Sequence, residues 1–496
     1  MCSCGPGYAT PLDAFKNGPR EKLLYVVTVQ PNLSEPHGDY LSTVDVDPES
    51  ATYCQIIHRT FTNKTGDELH HSGWNTCSSC YTNNSNDSTE TKKRDKLILP
   101  GLNSNNVYIF DVGKNERKPE IFKVIDGKVL LDNNVSSPHS THCLANGNVM
   151  ISTMGDRNDN AQGDFILFDS QFEVIGTWTK GERKAKCGYD FWYQPKFNVM
   201  VASEWGAPKN FKQGFHPDHL ANPDEIGRRL NFYKWKEQTL FQTIDLGDEG
   251  TTPLEIRFLH DPRESHGYVG CALYSNLYHF WKKDGSDEFE VEKVVNVPAK
   301  KVDGWALPEV TGLMGDIIIS LDDKYLYFTS WLMGDVRQYD ITDRSKPRLT
   351  GQVFLGGVIL SDSSVVVTED KELEVTTSIN LFQRLRYKNP LQKQPDPVFV
   401  KGKRLQGGPQ MMQLSLDGKR LYVTSSLYSP WDKQFFPEMI KNGGHMVLLN
   451  VDTENGGITL DTEFLVDFSN EPYGPTVPHE MRYPGGDCTS DIWLDE

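Results

Sequence analysis

The chain is 496 residues long, 37% hydrophobic and 24% charged, the profile of a globular protein. A net charge of −17, with no local run of Lys and Arg to offset it, excludes a nucleic-acid or anionic-membrane partner, because both require a basic patch. No stretch approaches the roughly 18 apolar residues that span a bilayer, so no integral membrane segment is expected.

The opening Met1-Cys2-Ser3-Cys4-Gly5-Pro6-Gly7 lacks the apolar core of a signal peptide. Nine cysteines, an odd number without framework spacing, argue against a disulfide scaffold. The expected location is therefore the cytosol, with the nucleus as a second compartment, and the thiols are expected to be reduced.

In chain order, Leu23–Val29 reads as the second strand of a unit that lacks its own first strand. Cys54 then falls on a fourth-strand pattern. Lys96–Leu99 and Val107–Asp111 follow as second and third strands of the next unit. The grammar is clearest in Ala145–Ser152, Leu321–Ser330 and Leu416–Ser425, where a turn of Asn, Asp, Gly or Lys precedes an apolar strand ending in Ser. Looser copies run through Pro195–Ser203 and Arg263–Ser275, giving seven candidate second strands. Third strands close on Asp, as in Phe165–Asp169 and Val336–Asp340, and fourth strands read like Val174–Trp178 or Leu349–Phe354.

Four antiparallel strands repeated every 50 to 70 residues or so predict an all-β, seven-bladed β-propeller. Asp491–Asp495 resembles the first strand at Asp316–Asp322, so the C-terminus is expected to complete the N-terminal blade and close the ring, leaving no open edge. The whole chain, 1–496, reads as one domain, with polar loop insertions at 81–95 and 361–403.

First strands line a propeller's central channel, so the residues just before them meet at one mouth. That register gives His70 and His71, His139 and His142, Tyr189 and Asp190, Glu255, Asp316, Gln410, and finally His479 and Glu480. Imidazoles gathered on one axis suit a transition metal such as Zn, Cu, Fe or Ni, with carboxylates orienting them. The alternative is a set of ordinary polar residues wetting a solvent-filled channel. Cys77-Ser78-Ser79-Cys80 is a candidate redox dithiol or half a zinc site, with a structural role as its rival. Trp74, Trp192, Trp205 and Trp331 lie near loops at the proposed mouth, where they could wall a small apolar pocket or simply pack.

His70-His71-Ser72-Gly73-Trp74-Asn75-Thr76-Cys77-Ser78-Ser79-Cys80 resembles the hallmark of the selenium-binding protein family. So do Gly188–Pro195, Pro253–His260, Gly407–Met411 and Arg482–Cys488. The resemblance covers essentially the whole chain. It implies a methanethiol oxidase, which converts methanethiol with O₂ and water to formaldehyde, hydrogen sulfide and hydrogen peroxide. Copper is the implied cofactor, with His70, His71, His142 and His479 as ligands and His139 as an alternate or outer one. The cysteine that carries selenium in vertebrate members corresponds to Cys54. The implied partners are a small thiol and O₂, with Glu255 or Asp316 moving protons. Two departures stand out: Met333 occupies the place of a histidine in the vertebrate pattern, and the segment from Tyr81 to Asp95 is longer and more polar here. Two other readings remain: a non-enzymatic carrier of selenium or reactive sulfur on Cys54, and an interaction scaffold, the commonest use of propellers.

Overall fold

A computed structural model describes residues 7–80, 93–372, 394–484 and 489–494. The architecture is all-β, built of four-stranded antiparallel sheets of the propeller type, and seven such sheets occur among the described residues. Six of them begin, in chain order, on the buried strands Gly73–Trp74, Ser136–Cys143, Phe191–Gln194, Pro253–Phe258, Met314–Ile319 and Met412–Leu414.

The predicted turns form through one repeated device. Ser320 Oγ bonds Asp322 Oδ1 at 2.5 Å and accepts from Tyr325 N at 2.9 Å; Ser415 Oγ does the same with Asp417 (2.7 Å) and Arg420 N (3.0 Å). Asp323 and Gly418 take the left-handed conformation there, at φ 54° and 71°, which Gly and Asp tolerate best. The strands that follow, Tyr325–Ser330 and Arg420–Thr424, are buried along their whole length, whereas outer strands such as Arg348–Phe354 are half-exposed.

Apolar clusters join each sheet to the next. Ile98 and Ile109 pack with Ile151 and Ile166, Met150 and Phe165 with Val201 and Phe232, and Ile318 and Tyr327 with Leu421 and Val447. The last sheet in the chain packs on the first, through Tyr422 and Leu448 against Leu24, Val26 and Val44.

The first sheet takes a strand from the C-terminal end, but not the predicted one. Val477–Arg482 pairs with Leu23–Val29 (Val26 with Met481, Val29 with Val477), with a register shift between Val26 and Thr28. Asp491–Leu494 forms no strand; Ile492 and Trp493 are buried apolar plugs, and Trp493 Nε1 donates to Tyr8 O at 2.9 Å. The resemblance to Asp316–Asp322 reflected burial rather than pairing.

The predicted loop at 361–403 is corrected in part. Its β-branched run supplies the strand Val366–Glu369, which pairs with Lys300–Asp303 in a separate three-stranded sheet. Residues 373–393 of that insertion, and 81–92 of the other, lie outside the described residues. Two short helices unmarked by the sequence pattern, Ser429–Phe435 and Pro437–Asn442, follow the Arg420–Thr424 strand.

Met481 is fully buried opposite Val26. Met481→Ala is expected to destabilise the protein by about 2–5 kcal/mol, measured by denaturant unfolding of the whole chain.

Candidate metal centre

Three stretches far apart in sequence bring imidazoles to one point. His70 and His71 precede Gly73–Trp74, His139 lies on Ser136–Cys143, and His479 lies on Val477–Arg482. Gly73 makes the approach possible: a Cβ there would sit 2.4 Å from Thr141 O of the neighbouring strand. The ring centroids of His70 and His479 are 3.9 Å apart, those of His71 and His139 4.1 Å, and those of His70 and His139 5.2 Å. One donor atom each from His70, His71 and His479 falls within a mutual 4.8 Å.

All four rings are buried, and each has a nitrogen without a partner: Nδ1 of His70, and Nε2 of His71, His139 and His479. Bare buried nitrogens cost desolvation energy unless something occupies them. In three of the four rings the opposite nitrogen is held. His479 Nδ1 faces Ser426 O at 2.7 Å and so carries the proton, leaving the Nε2 lone pair to the cluster. His71 Nδ1 meets Glu480 Oε1 at 2.9 Å, and His139 Nδ1 meets Ser140 Oγ at 3.1 Å. Burial, reinforced by the neighbouring rings, pushes His70 and His139 well below the usual imidazole range, and burial takes His479 down to about 3. These three rings are neutral and can donate lone pairs. His71 also pays for burial, but the Glu480 and Glu255 carboxylates outweigh it and raise its pKa.

A layer of charge lies beneath. Glu480 accepts from Ser72 N, from Ser72 Oγ at 2.6 Å and from Arg482 Nη2 at 2.8 Å. Against its own burial, Arg482 and His71 hold its pKa down at about 2. Glu255 Oε1 lies 3.5 Å from His71 Nε2, while its Oε2 accepts from Arg257 Nη2 at 2.8 Å. Arg257 also binds Asp190 at 2.5 Å, and its Nη2 lies 3.9 Å from Asp316 Oδ1. Burial pushes Glu255 up to about 8, helped by the Asp190 charge, and burial lifts Asp316 to about 7. Glu255 Oε1 and Asp316 Oδ1 have no hydrogen-bond partner.

His142 is not brought to the cluster. It sits three residues further along its strand than His139, with its ring 5.0 Å from Phe191 and 5.1 Å from Trp192. Burial there lowers its pKa to about 4. A bulge between Pro138 and Thr141 obscures which of the two histidines reaches the mouth.

The aromatic walls are Tyr189 (3.9 Å from His139), Tyr428 (6.1 Å from His70) and Trp205 (5.8 Å from Tyr189). Trp331 packs instead on Phe435 and Phe436, and Trp74 on Tyr25. Met333 is fully buried in the apolar cluster that includes Trp205 and Tyr428. Arg257 and Arg482 were not singled out in the sequence, although Glu255-Ile256-Arg257 and Glu480-Met481-Arg482 repeat one pattern that places both charges on one strand face.

Cys54 lies on the turn joining the outer two strands of the first sheet, near the Asp45–Gln55 pair. It is half-buried, in the left-handed conformation at φ 62°, and burial raises its thiol pKa.

Propeller-type sheets around a buried imidazole cluster define this class of protein. The model of the 56 kDa selenium-binding protein family matches residues 2–494, and the chain belongs to that family. It is 53% identical over 493 residues to the methanethiol oxidase of Mus musculus, covering 99% of this chain and 98% of the relative. It is 52% identical to selenium-binding protein 2 of the same organism over 99% of this chain and 98% of that one. The structure of a hypothetical selenium-binding protein from Sulfolobus tokodaii superposes with a TM-score of 0.82 at 35% identity, over 98% of each chain.

With Zn(II) as a redox-silent probe, His139→Ala is expected to weaken binding by about tenfold or more, and His142→Ala to leave it within about twofold of wild type. Calorimetric titration of metal-free protein measures both.

Proposed function

We propose that this protein is a methanethiol oxidase that converts CH₃SH, O₂ and H₂O to HCHO, H₂S and H₂O₂. In this reading the seven sheets are the blades of one closed propeller, and one copper ion is held by His70, His71, His479 and His139. The observation that carries the reading is the cluster of four buried imidazoles, each with an unpartnered nitrogen, in a chain about half identical to proteins named for this activity. Ring closure is supported by the Val477–Arg482 strand on the first sheet and by the apolar cluster joining the last sheet to the first.

Bound copper would acidify the thiol and exchange single electrons with sulfur and O₂, which zinc cannot do. The rest falls to the chain's own side chains. Ser426 O and Glu480 fix the tautomers of His479 and His71. Tyr189, Tyr428 and Trp205 present apolar faces that suit a one-carbon thiol and exclude water. Glu255, held protonated near neutral pH by its burial, offers a proton at Oε1 beside His71 Nε2 to the departing sulfide, and its carboxylate can take one back from the next incoming thiol. Asp316 is the next carboxyl in the same layer, bridged to Glu255 through Arg257.

The carrier reading has a specific observation against it: the Cys54 thiol is raised rather than depressed, so little thiolate is available for cargo. A scaffold gives no reason to bury four imidazoles with bare nitrogens. A cytosolic location, with the nucleus as a second compartment, belongs to the same reading. It is supported by the six cysteines among the described residues, all of them free.

Copper by mass spectrometry is expected near one ion per chain after expression with copper, with sulfide released from methanethiol. His70→Ala/His71→Ala is expected to lose both, and undiminished sulfide release by a copper-free double variant would overturn the reading. Glu255→Gln is expected to keep its copper while turnover falls by about 100-fold.

A further inference from the structure

Of the groups that the oxidase reading leaves aside, Cys77 and Cys80 are buried and free at the turn Ser78–Cys80, which Asp491 Oδ2 pins through Ser78 N (3.0 Å) and Ser78 Oγ (2.6 Å). Trp205 leads further. It belongs both to the aromatic wall of the imidazole cluster and to a separate cleft. In the wall it meets Tyr189 at 5.8 Å and Tyr428 at 6.2 Å, the rings next to His139 and His70. It also stacks on Phe211 at 4.2 Å with an interplanar angle of 7°, and Phe211 in turn meets Tyr428 at 6.2 Å. Both stacked rings line the cleft, together with Phe215, Ile226, Leu273 and Trp431, whereas neither tyrosine does. The Trp205–Phe211 pair is therefore a partition between cleft and cluster. The cleft has about 390 Å³ of free space and is open to solvent.

Its walls come from insertions in two different sheets. Residues 203–228 join the strand Val199–Ala202 to Arg229–Lys234 and carry the short helix Pro208–Phe211. The helix Ser429–Phe435 follows Arg420–Thr424 in the last sheet. Trp431 Nε1 donates to Phe211 O at 3.2 Å. Gln434 makes two bonds with Phe215, accepting from its N at 2.7 Å and donating to its O at 3.3 Å. These bonds fasten one insertion to the other, so the cleft is preformed, as small-molecule sites usually are.

The lining also selects a chemical class. Among the described residues no Lys or Arg lines the cleft. Its one carboxylate, Glu225, is engaged by Lys209 Nζ at 2.6 Å and Asn210 Nδ2 at 3.0 Å. A thiolate or other anion finds no fixed Lys or Arg there. A small alkyl thiol, protonated at neutral pH, fits better. Its carbon buries against apolar side chains, and its sulfur gains contacts with the aromatic rings.

We propose that this cleft is the entry chamber for the thiol substrate, held there uncharged, and that the Trp205–Phe211 stack is the partition it passes on the way to the imidazoles. The identity of the ligand rests on the oxidase reading; the second binding site lies beyond it. The thiol keeps its proton in the chamber, and no bond forms or breaks. Passage requires the two rings to part, so they set the size of thiol admitted.

Ile226 is half-buried on the cleft wall, where a larger side chain fills the space. In the copper-loaded full chain, Ile226→Trp is expected to lower kcat/KM for methanethiol by about tenfold, with copper content equal to that of the wild type. An unchanged kcat/KM overturns the proposal. Binding is read separately with dimethyl sulfide, which is uncharged and has no S–H to oxidise, added to metal-free full chain and followed by ligand-observed NMR. Saturable binding that Ile226→Trp weakens by about tenfold is expected. No binding, or equal binding by the variant, overturns the proposal. Because this measurement needs neither copper nor turnover, failure of the oxidase reading leaves its result standing. Should Ile226→Trp not fold, wild-type crystals under xenon pressure decide. Xenon in contact with Trp205 and Phe211 is expected, and a cleft without xenon overturns the proposal.

Discussion

The pairing of Val477–Arg482 with Leu23–Val29 is the constraint on which fold and site both depend. One six-residue strand completes the first sheet, places His479 over His70, sets Glu480 against His71 and Ser72, and delivers Arg482 to Glu480. Its partner lies more than 440 residues earlier in the chain, so the cluster cannot assemble before the chain is complete. The loop-closure cost grows only slowly with length, but it falls on a non-local contact, the kind that forms late. Folding and assembly of the imidazole cluster are therefore one event.

Charge is layered about that strand. Four imidazoles lie together, and beneath them the Asp190, Glu255, Asp316 and Glu480 carboxyls face only two guanidinium groups, Arg257 and Arg482. A buried excess of acid over base has two outlets: carboxyls take up protons, or a cation enters. The raised Glu255 and Asp316 express the first outlet, and the bare nitrogens just above them are placed for the second. A cation bound beside His71 would answer the same electrostatic deficit as the proton held on Glu255, so binding it would favour loss of that proton.

Much of this was legible in the sequence, and the misses have physical causes. The turn-and-strand grammar located second strands correctly because it rests on local chemistry, the Ser320–Asp322 and Ser415–Asp417 bonds, which requires no knowledge of partners. First strands are harder: they are short and carry functional polar residues, so the apolar alternation is broken. Val477–Arg482 contains Pro, His, Glu and Arg and was passed over as a strand for the more apolar Asp491–Asp495. His139 and His142 fall in the same strand, and only the bulge after Pro138 decides which ring reaches the cluster, a feature with no signature in composition. The strand Val366–Glu369 was hidden because its partner, Lys300–Asp303, belongs to no repeat unit.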